Sequence, residues 1–271
     1  MLGLIAGDIV GSPYEGRPIK SKKFPLFSSN STFTDDTVLA IAVADALLNG
    51  GSYAQTLRSY GRTYPKAGYG QRFIRWLKSD DAGPYNSFGN GSAMRVGPVG
   101  WFCNSLEEVM EEAKKSAEVT HNHPEGIKGA QAVAVAVFLA REGKSRKKIR
   151  TNIEQLFDYN LSSSLKSIRR NYRFDVTCRG SVPEAIIAFL ESSSFEDALR
   201  NAVSLGGDSD TQAAIAGVIA EAYYGKLPAN IKKELFNRLD ADLEKVVREF
   251  QQKHVKKSNV YFLTNLLKLD V

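Results

Sequence analysis

The stretch from Gly126 to Leu139 constrains the fold most, because alanine and valine occupy nearly every side of any helix it could form. A helix that is apolar all round has no face for water and must be wrapped by other elements. Valine alone would suit a strand, but the length of the run and its interleaved alanines favour a helix. Wrapping elements can be read on both sides of it. Val38, Leu39, Ala42, Val43, Ala46 and Leu47 share one helical face, which Asn49-Gly50-Gly51 ends. Leu106–Glu118 is amphipathic with acids at its start, and Phe195–Leu205 and Ala213–Tyr224 continue the pattern. Pro183–Leu190 predicts a helix with proline in its first turn. Ile231–Val255 reads as a charged helix, followed by Val260–Leu267. No run alternates as a strand would. The expectation is an all-α fold, a compact multi-helix bundle of about ten helices. No linker or low-complexity tract divides it, so a single domain is expected over residues 1–271.

Charge and cysteine content narrow the class. The net charge of +6 is spread over separate clusters at Lys20, Lys22 and Lys23, at Arg146–Lys148, and at Lys253, Lys256 and Lys257. A basic surface attracts phosphates, whether of nucleic acid or of a small substrate, and dispersed clusters favour the small substrate. Cys103 and Cys178 make no C-x-x-C pair, which fits a reducing compartment. The apolar run Leu2–Ala6 lacks a basic start and stops at Asp8, too short for a signal peptide or a membrane span. A cytoplasmic, monomeric protein is expected, with no membrane association.

Two helix starts are acidic beyond what capping requires. Thr34-Asp35-Asp36-Thr37 precedes one apolar helix, and Gly206-Gly207-Asp208-Ser209-Asp210-Thr211 precedes another. A single Ser, Thr or Asp cap, worth about 1 kcal/mol, is enough for a helix. Here each start has two carboxylates within three positions, and such groups repel unless a positive charge lies between them. A helix N-terminus supplies about half a charge. A divalent cation supplies more, and carboxylate and hydroxyl oxygens suit Mg²⁺ or Mn²⁺. Two such starts face to face would hold two ions about 3.5–4 Å apart.

Other candidates are weaker. The loop Gly89-Asn90-Gly91-Ser92-Ala93-Met94-Arg95 could cradle phosphate with its N–H groups, or be an ordinary turn. His121 and His123 lack a third ligand at zinc spacing. Ser92 has no G-x-S-x-G elbow around it. Tyr53, Tyr60, Tyr64 and Tyr69 recur at nearly helical spacing, which fits packing.

Five segments in order resemble the ADP-ribosylglycohydrolases, which include the dinitrogenase-reductase-activating glycohydrolases and the ADP-ribosyl-acceptor hydrolases. These are Gly7–Gly16, Thr34–Thr37, Gly89–Arg95, Thr120-His121-Asn122-His123-Pro124 and Gly206–Thr211. The resemblance implies an all-α fold with a binuclear Mg²⁺ or Mn²⁺ centre in a cleft. It implies that Thr34, Asp35, Asp36, Asp208, Asp210 and Thr211 hold the metals, and that Glu15 lies on a mobile loop beside them. Asn90, Gly91, Ser92 and Met94 would line the diphosphate and ribose site, His121 would touch the nucleotide, and Gly207 and Ser209 would approach the distal ribose. Asp35, then Glu15, would handle the proton in catalysis. The implied partner is an ADP-ribosylated protein or small molecule, with arginine as the expected acceptor. Serine, an acetyl ester and nucleic acid remain open as acceptors, as does a non-catalytic ADP-ribose-binding role. The segment Arg141–Thr177 matches nothing in the family pattern, and no aromatic can be assigned to the adenine.

Overall fold

The computed structural model describes residues 1–255. Among these it forms fifteen α-helices. They are α1 (Leu2–Gly11), α2 (Asp35–Asn49), α3 (Tyr53–Thr63), α4 (Gln71–Leu77), α5 (Gly91–Arg95), α6 (Gly97–Phe102), α7 (Leu106–Glu118) and α8 (Pro124–Arg141). Then come α9 (Arg146–Phe157), α10 (Leu165–Asn171), α11 (Cys178–Leu190), α12 (Phe195–Val203), α13 (Ser209–Tyr224), α14 (Ala229–Phe236) and α15 (Ala241–Phe250). The only pairing of strand type among the described residues is one isolated antiparallel bridge between Gly89 and Thr177. The fold is all-α, as the periodicity predicts.

The centre is built from the helices without a polar face. Ala130 and the unbroken run Ala132–Val137 on α8 are fully buried, and so are Ala213–Ala216 and Val218–Ala220 on α13. Around them pack α1, α2, α5, α6, α7, α11 and α12. Helix α1 lies closest to α13, and its glycines explain how. Gly3, Gly7 and Gly11 recur every fourth residue, and a Cβ at each would run into the backbone of Gly217, Ala213 and Ser209 respectively. Stacked one turn apart, they make a bare stripe that lets two helix backbones touch. The N-terminal end of α1 is tied to the same helix, because the Gly3 N–H donates to Glu221 Oε2 at 2.8 Å. This seam carries Asp8, on α1, past the first turn of α13.

Four local expectations are corrected. Helix α11 starts at Cys178, capped by Thr177, whose hydroxyl accepts from the Gly180 N–H at 3.0 Å. Pro183 therefore lies inside the helix and not in its first turn. Its missing N–H costs only the one bond to the Arg179 carbonyl, close to the helix start. The charged run Ile231–Val255 is broken at 237–240, where Asp240 accepts from the N–H groups of Asp242 and Leu243 and starts α15 afresh. The glycine loop 83–100 contains α5 and α6, and the unmatched segment 141–177 contains α9 and α10. The helices are also more numerous than about ten, because short ones fill what reads as loop. Val260–Leu267 lies outside the described residues.

Candidate metal centre

Two helix N-termini, those of α2 and α13, converge with the C-terminal end of α1 and the loop that follows it. Asp8 organises the first of them. It is fully buried and accepts the Thr34 N–H at 2.9 Å and the Thr37 N–H at 3.1 Å on Oδ2, and the Thr34 hydroxyl at 2.8 Å on Oδ1. Thr34 in turn caps α2, accepting the Asp36 N–H at 3.3 Å. One cap suffices, and Thr34 is that cap. Asp35 and Asp36 are left over from capping. The Asp35 N–H donates to the Ala67 carbonyl at 2.8 Å, and Gly68 lies beside Asp35 Oδ1, so the loop 65–70 walls this carboxylate.

The second terminus repeats the logic. Asp208 occupies the N-cap position of α13, yet its side chain makes no capping bond. Its Oδ2 accepts instead from the Asn90 side-chain amide at 2.7 Å. Asp210 Oδ1 accepts the Thr211 N–H at 2.9 Å. The Thr211 hydroxyl donates across to Asp36 Oδ2 at 3.3 Å and lies 3.9 Å from Met94 Sδ, which joins the two helix starts. Glu15, on the exposed loop after α1, completes a trio with Asp208 and Asp210. One carboxylate oxygen from each lies within 4.8 Å of the others.

The electrostatics of this cluster are unfavourable as it stands. Burial pushes the Asp8 carboxyl up to about 6, partly offset by its hydrogen bonds from Thr34 and Thr37. Burial, then the neighbouring Asp8, pushes Asp35 up to about 8. Asp36 is held well above the usual range by burial and by Asp8, Asp35 and Asp208. Asp210 is held well above it by burial, Asp36 and Asp208. Asp208 and Glu15 are raised as well, each by burial first. No lysine or arginine pairs with any of these six acids among the described residues. Asp36 Oδ1 is buried without a hydrogen-bond partner. An all-oxygen donor set, mutual repulsion and an orphaned buried carboxylate oxygen are what a hard divalent cation would resolve. The residues fit Mg²⁺ or Mn²⁺.

The remaining candidates are placed as follows. Asn90 starts α5 and is buried against Asp208. Gly91 lies under His121, whose Nε2 a Cβ there would meet at 3.1 Å. Burial, then Arg95 and Arg72, holds His121 well below its usual range, so the ring is neutral. Arg95 donates to the Thr120 hydroxyl at 2.9 Å, and that hydroxyl lies 2.8 Å from His121 Nδ1. The network assigns the Thr120 proton to Nδ1 and leaves Nε2 as an N–H donor facing the glycine loop. Ser92 and Ser209 are fully buried, with the Ser92 hydroxyl donating to the Gly126 carbonyl at 2.7 Å and the Ser209 hydroxyl 3.4 Å from the Gly207 carbonyl. Gly207 packs against the ring of Tyr172. His123 caps α8, accepting the Glu125 N–H at 3.1 Å, so it is structural.

Sequence reasoning missed three features. Asp8 lies in the Gly7–Gly16 segment, where its role cannot be read because its three donors come from 26 and 29 residues away. Phe88 and Val176 are each about half exposed, and their backbones flank the bridge that joins Gly89 to Thr177. An aromatic directly before the glycine loop, Phe88 before Gly89, is the signal the sequence offers. Tyr172 gave none, since it lies in the unmatched segment.

Comparison with known proteins follows the same lines. The sequence profile of the ADP-ribosylglycohydrolase family matches residues 1–259. The mouse (Mus musculus) ADP-ribosylhydrolase ARH3 is 27% identical, over 93% of this chain and 91% of its own. The ADP-ribosylarginine hydrolase Tri1 of Pseudomonas putida (strain GB-1) is 27% identical, over 83% of this chain and 69% of its own. A solved structure described as an ADP-ribosylglycohydrolase-related protein complex superposes with a TM-score of 0.71 at 25% identity, covering 93% of this chain and 95% of that one.

Proposed function

Because the chain belongs to the ADP-ribosylglycohydrolase family, a family of hydrolases, we propose that it hydrolyses the bond between ADP-ribose and an acceptor at the carboxylate centre, with divalent metal. The observation that carries this is the convergence of Asp35, Asp36, Asp208 and Asp210 from two helix starts, in excess of capping and without a cationic partner. Asp35, Asp36, Asp208 and Asp210, with Thr34 and Thr211, would hold two ions, Mg²⁺ or Mn²⁺. Bound there, such ions would fix the ribose hydroxyls and lower the pKa of a water.

The chain's own residues do the rest. Asp35 takes the proton of the attacking water as the bond from the anomeric carbon to the acceptor breaks, through an oxocarbenium-like state, and that proton passes to the departing nitrogen or oxygen of the acceptor. Glu15, exposed on its loop beside Asp208 and Asp210, takes part in the same transfer in this reading. The free N–H groups at the start of α5 and the His121 Nε2–H face the diphosphate, and Phe88 and Val176 offer apolar surface to the adenine. Asn90 holds Asp208 in one orientation, and Met94 packs behind Thr211.

Protein arginine is the acceptor in this reading, by likeness to the relative named for ADP-ribosylarginine. The single domain spans residues 1–271 and works as a cytoplasmic monomer. No helix among the described residues is long and apolar enough to cross a membrane. The test uses arginine- and serine-ADP-ribosylated substrates, with released ADP-ribose read by mass. Asp35→Asn should fold and lose at least about a hundredfold in turnover, the scale of a lost general base. Unchanged turnover would remove Asp35 from the chemistry.

A further inference from the structure

A cleft of about 520 Å³ adjoins the carboxylate centre on the side of Gly16 and Gly207, next to Glu15 and Asp208. Its walls hold Lys20, Arg170 and Arg173 and no carboxylate, with Pro18 and Phe174 as apolar surface. Of the residues assigned to ADP-ribose, only Gly207 lines it. Asn90, Gly91, Ser92, Met94 and His121 all lie elsewhere, so the nucleotide's path leaves this cleft free for what ADP-ribose is attached to.

The cations are not neutralised by the fold. Lys20 donates to the carbonyls of Tyr172, at 2.6 Å, and Leu205, which ties the loop after α1 to the end of α10 and the start of the Gly206 turn. Arg169, just outside, donates to the Ser204 hydroxyl at 2.8 Å. Neither the Arg170 nor the Arg173 side chain makes a hydrogen bond or ion pair among the described residues. Like charges gathered without an anion repel, and burial, then Arg173 and Arg169, act against the protonated form of Lys20. Such a group of arginines is built to receive a carboxylate or phosphate in forked geometry.

Resting on the glycohydrolase reading, we propose that this cleft takes an acidic side chain of the modified protein, one or two residues from the side chain that carries ADP-ribose. The short reach of the positive surface favours this over a nucleic-acid strand. Asp175 is fixed at the start of α11 by the Thr177 N–H at 2.7 Å, and, after burial, the carboxylates of Glu184 and Asp175 push up the Tyr172 hydroxyl at the cleft wall. A phosphodiester backbone would meet these carboxylates within a nucleotide or two. A single glutamate or aspartate would not, and Phe174, half exposed, offers its stem a surface.

The experiment uses the full chain, with metal, on peptides that carry ADP-ribose on arginine or serine with glutamate or lysine on either side. Free ADP-ribosyl-arginine serves as the substrate without flanks, and an ADP-ribosylated DNA end as the nucleic-acid arm. The wild type should favour glutamate flanks over lysine flanks by about tenfold or more in kcat/KM. Arg170→Glu with Arg173→Glu should abolish or reverse that preference, with ADP-ribosyl-arginine turnover and inhibition by ADP-ribose within about twofold of wild type. A wild type indifferent to flanks would overturn the proposal while leaving the glycohydrolase reading intact. Equal loss of ADP-ribose inhibition in the double variant would put the nucleotide's own phosphates in the cleft and overturn it too. Preferred release from the DNA end, lost in the double variant, would overturn it in favour of nucleic acid. Release from no substrate at all would sink the glycohydrolase reading itself, and this inference with it.

Discussion

The Asn90 side-chain amide donates to Asp208 Oδ2 at 2.7 Å, joining residues 118 apart in the sequence. This bond links the glycine loop to the second acidic helix start. It also occupies an oxygen of a carboxylate that stands at a helix N-cap without capping. A carboxylate aimed by a side-chain amide presents its other oxygen in one fixed direction.

Asn90→Ala removes that aim. A hydrogen bond to a charged group contributes about 1.5–3 kcal/mol, so ADP-ribose release should fall by at least about tenfold. The far-ultraviolet circular dichroism should remain that of the wild type. Full activity in Asn90→Ala would show that Asp208 needs no external aim.

Asp8→Asn tests the pivot of α1 and α2. Asp8 accepts three hydrogen bonds, two of them on one oxygen. An amide can keep its oxygen toward the Thr34 and Thr37 N–H groups only by turning its NH2 toward the Thr34 hydroxyl, whose proton then loses its acceptor. The expected loss is about 1–3 kcal/mol, read as a fall of several degrees in Tm. Activity should fall with it, because Asp35 and Asp36 follow from the same turn. A Tm equal to wild type would mean that the start of α2 is held by other contacts.

The pH dependence of the metal-free protein has a definite sign. Asp8 and Asp35 have folded values of about 6 and about 8, raised above those of an unfolded chain. A carboxyl raised in the fold contributes stability below its unfolded pKa, and that contribution is lost as pH rises through the folded value. Chelator-treated protein should therefore unfold at lower temperature at pH 8 than at pH 5. Added Mg²⁺ or Mn²⁺ should raise Tm more at pH 8, where the acids are ionised and free to bind. A larger metal effect at pH 5 would contradict this account of the cluster.

The sequence made the two acidic helix starts legible because their excess over capping is a local property. Thr34 alone caps α2, and Asp35, Asp36 and Asp208 are then unexplained by secondary structure. The role of Asp8 was not legible, since its three bonds depend on how α1 lies against α2. The glycine stripe of α1 reads as a stripe only beside the backbone of α13 that it meets. Pro183 misled because proline marks a first turn more often than it sits in a second one. The break at 237–240 is set by Asp240, whose capping role is weak beside the charged periodicity on both sides. The segment with Arg170 and Arg173 has no pattern of its own and gains meaning from the cleft it borders.

The central claim is that the carboxylate cluster holds divalent metal needed to release ADP-ribose. The most direct measurement strips the protein with chelator, confirms its metal content, and follows ADP-ribose release as Mg²⁺ or Mn²⁺ is added back, in the wild type and in Asp36→Asn. The account predicts no release without metal, recovery at up to two ions per chain in the wild type, and little recovery in Asp36→Asn. Full release by metal-free protein would contradict it.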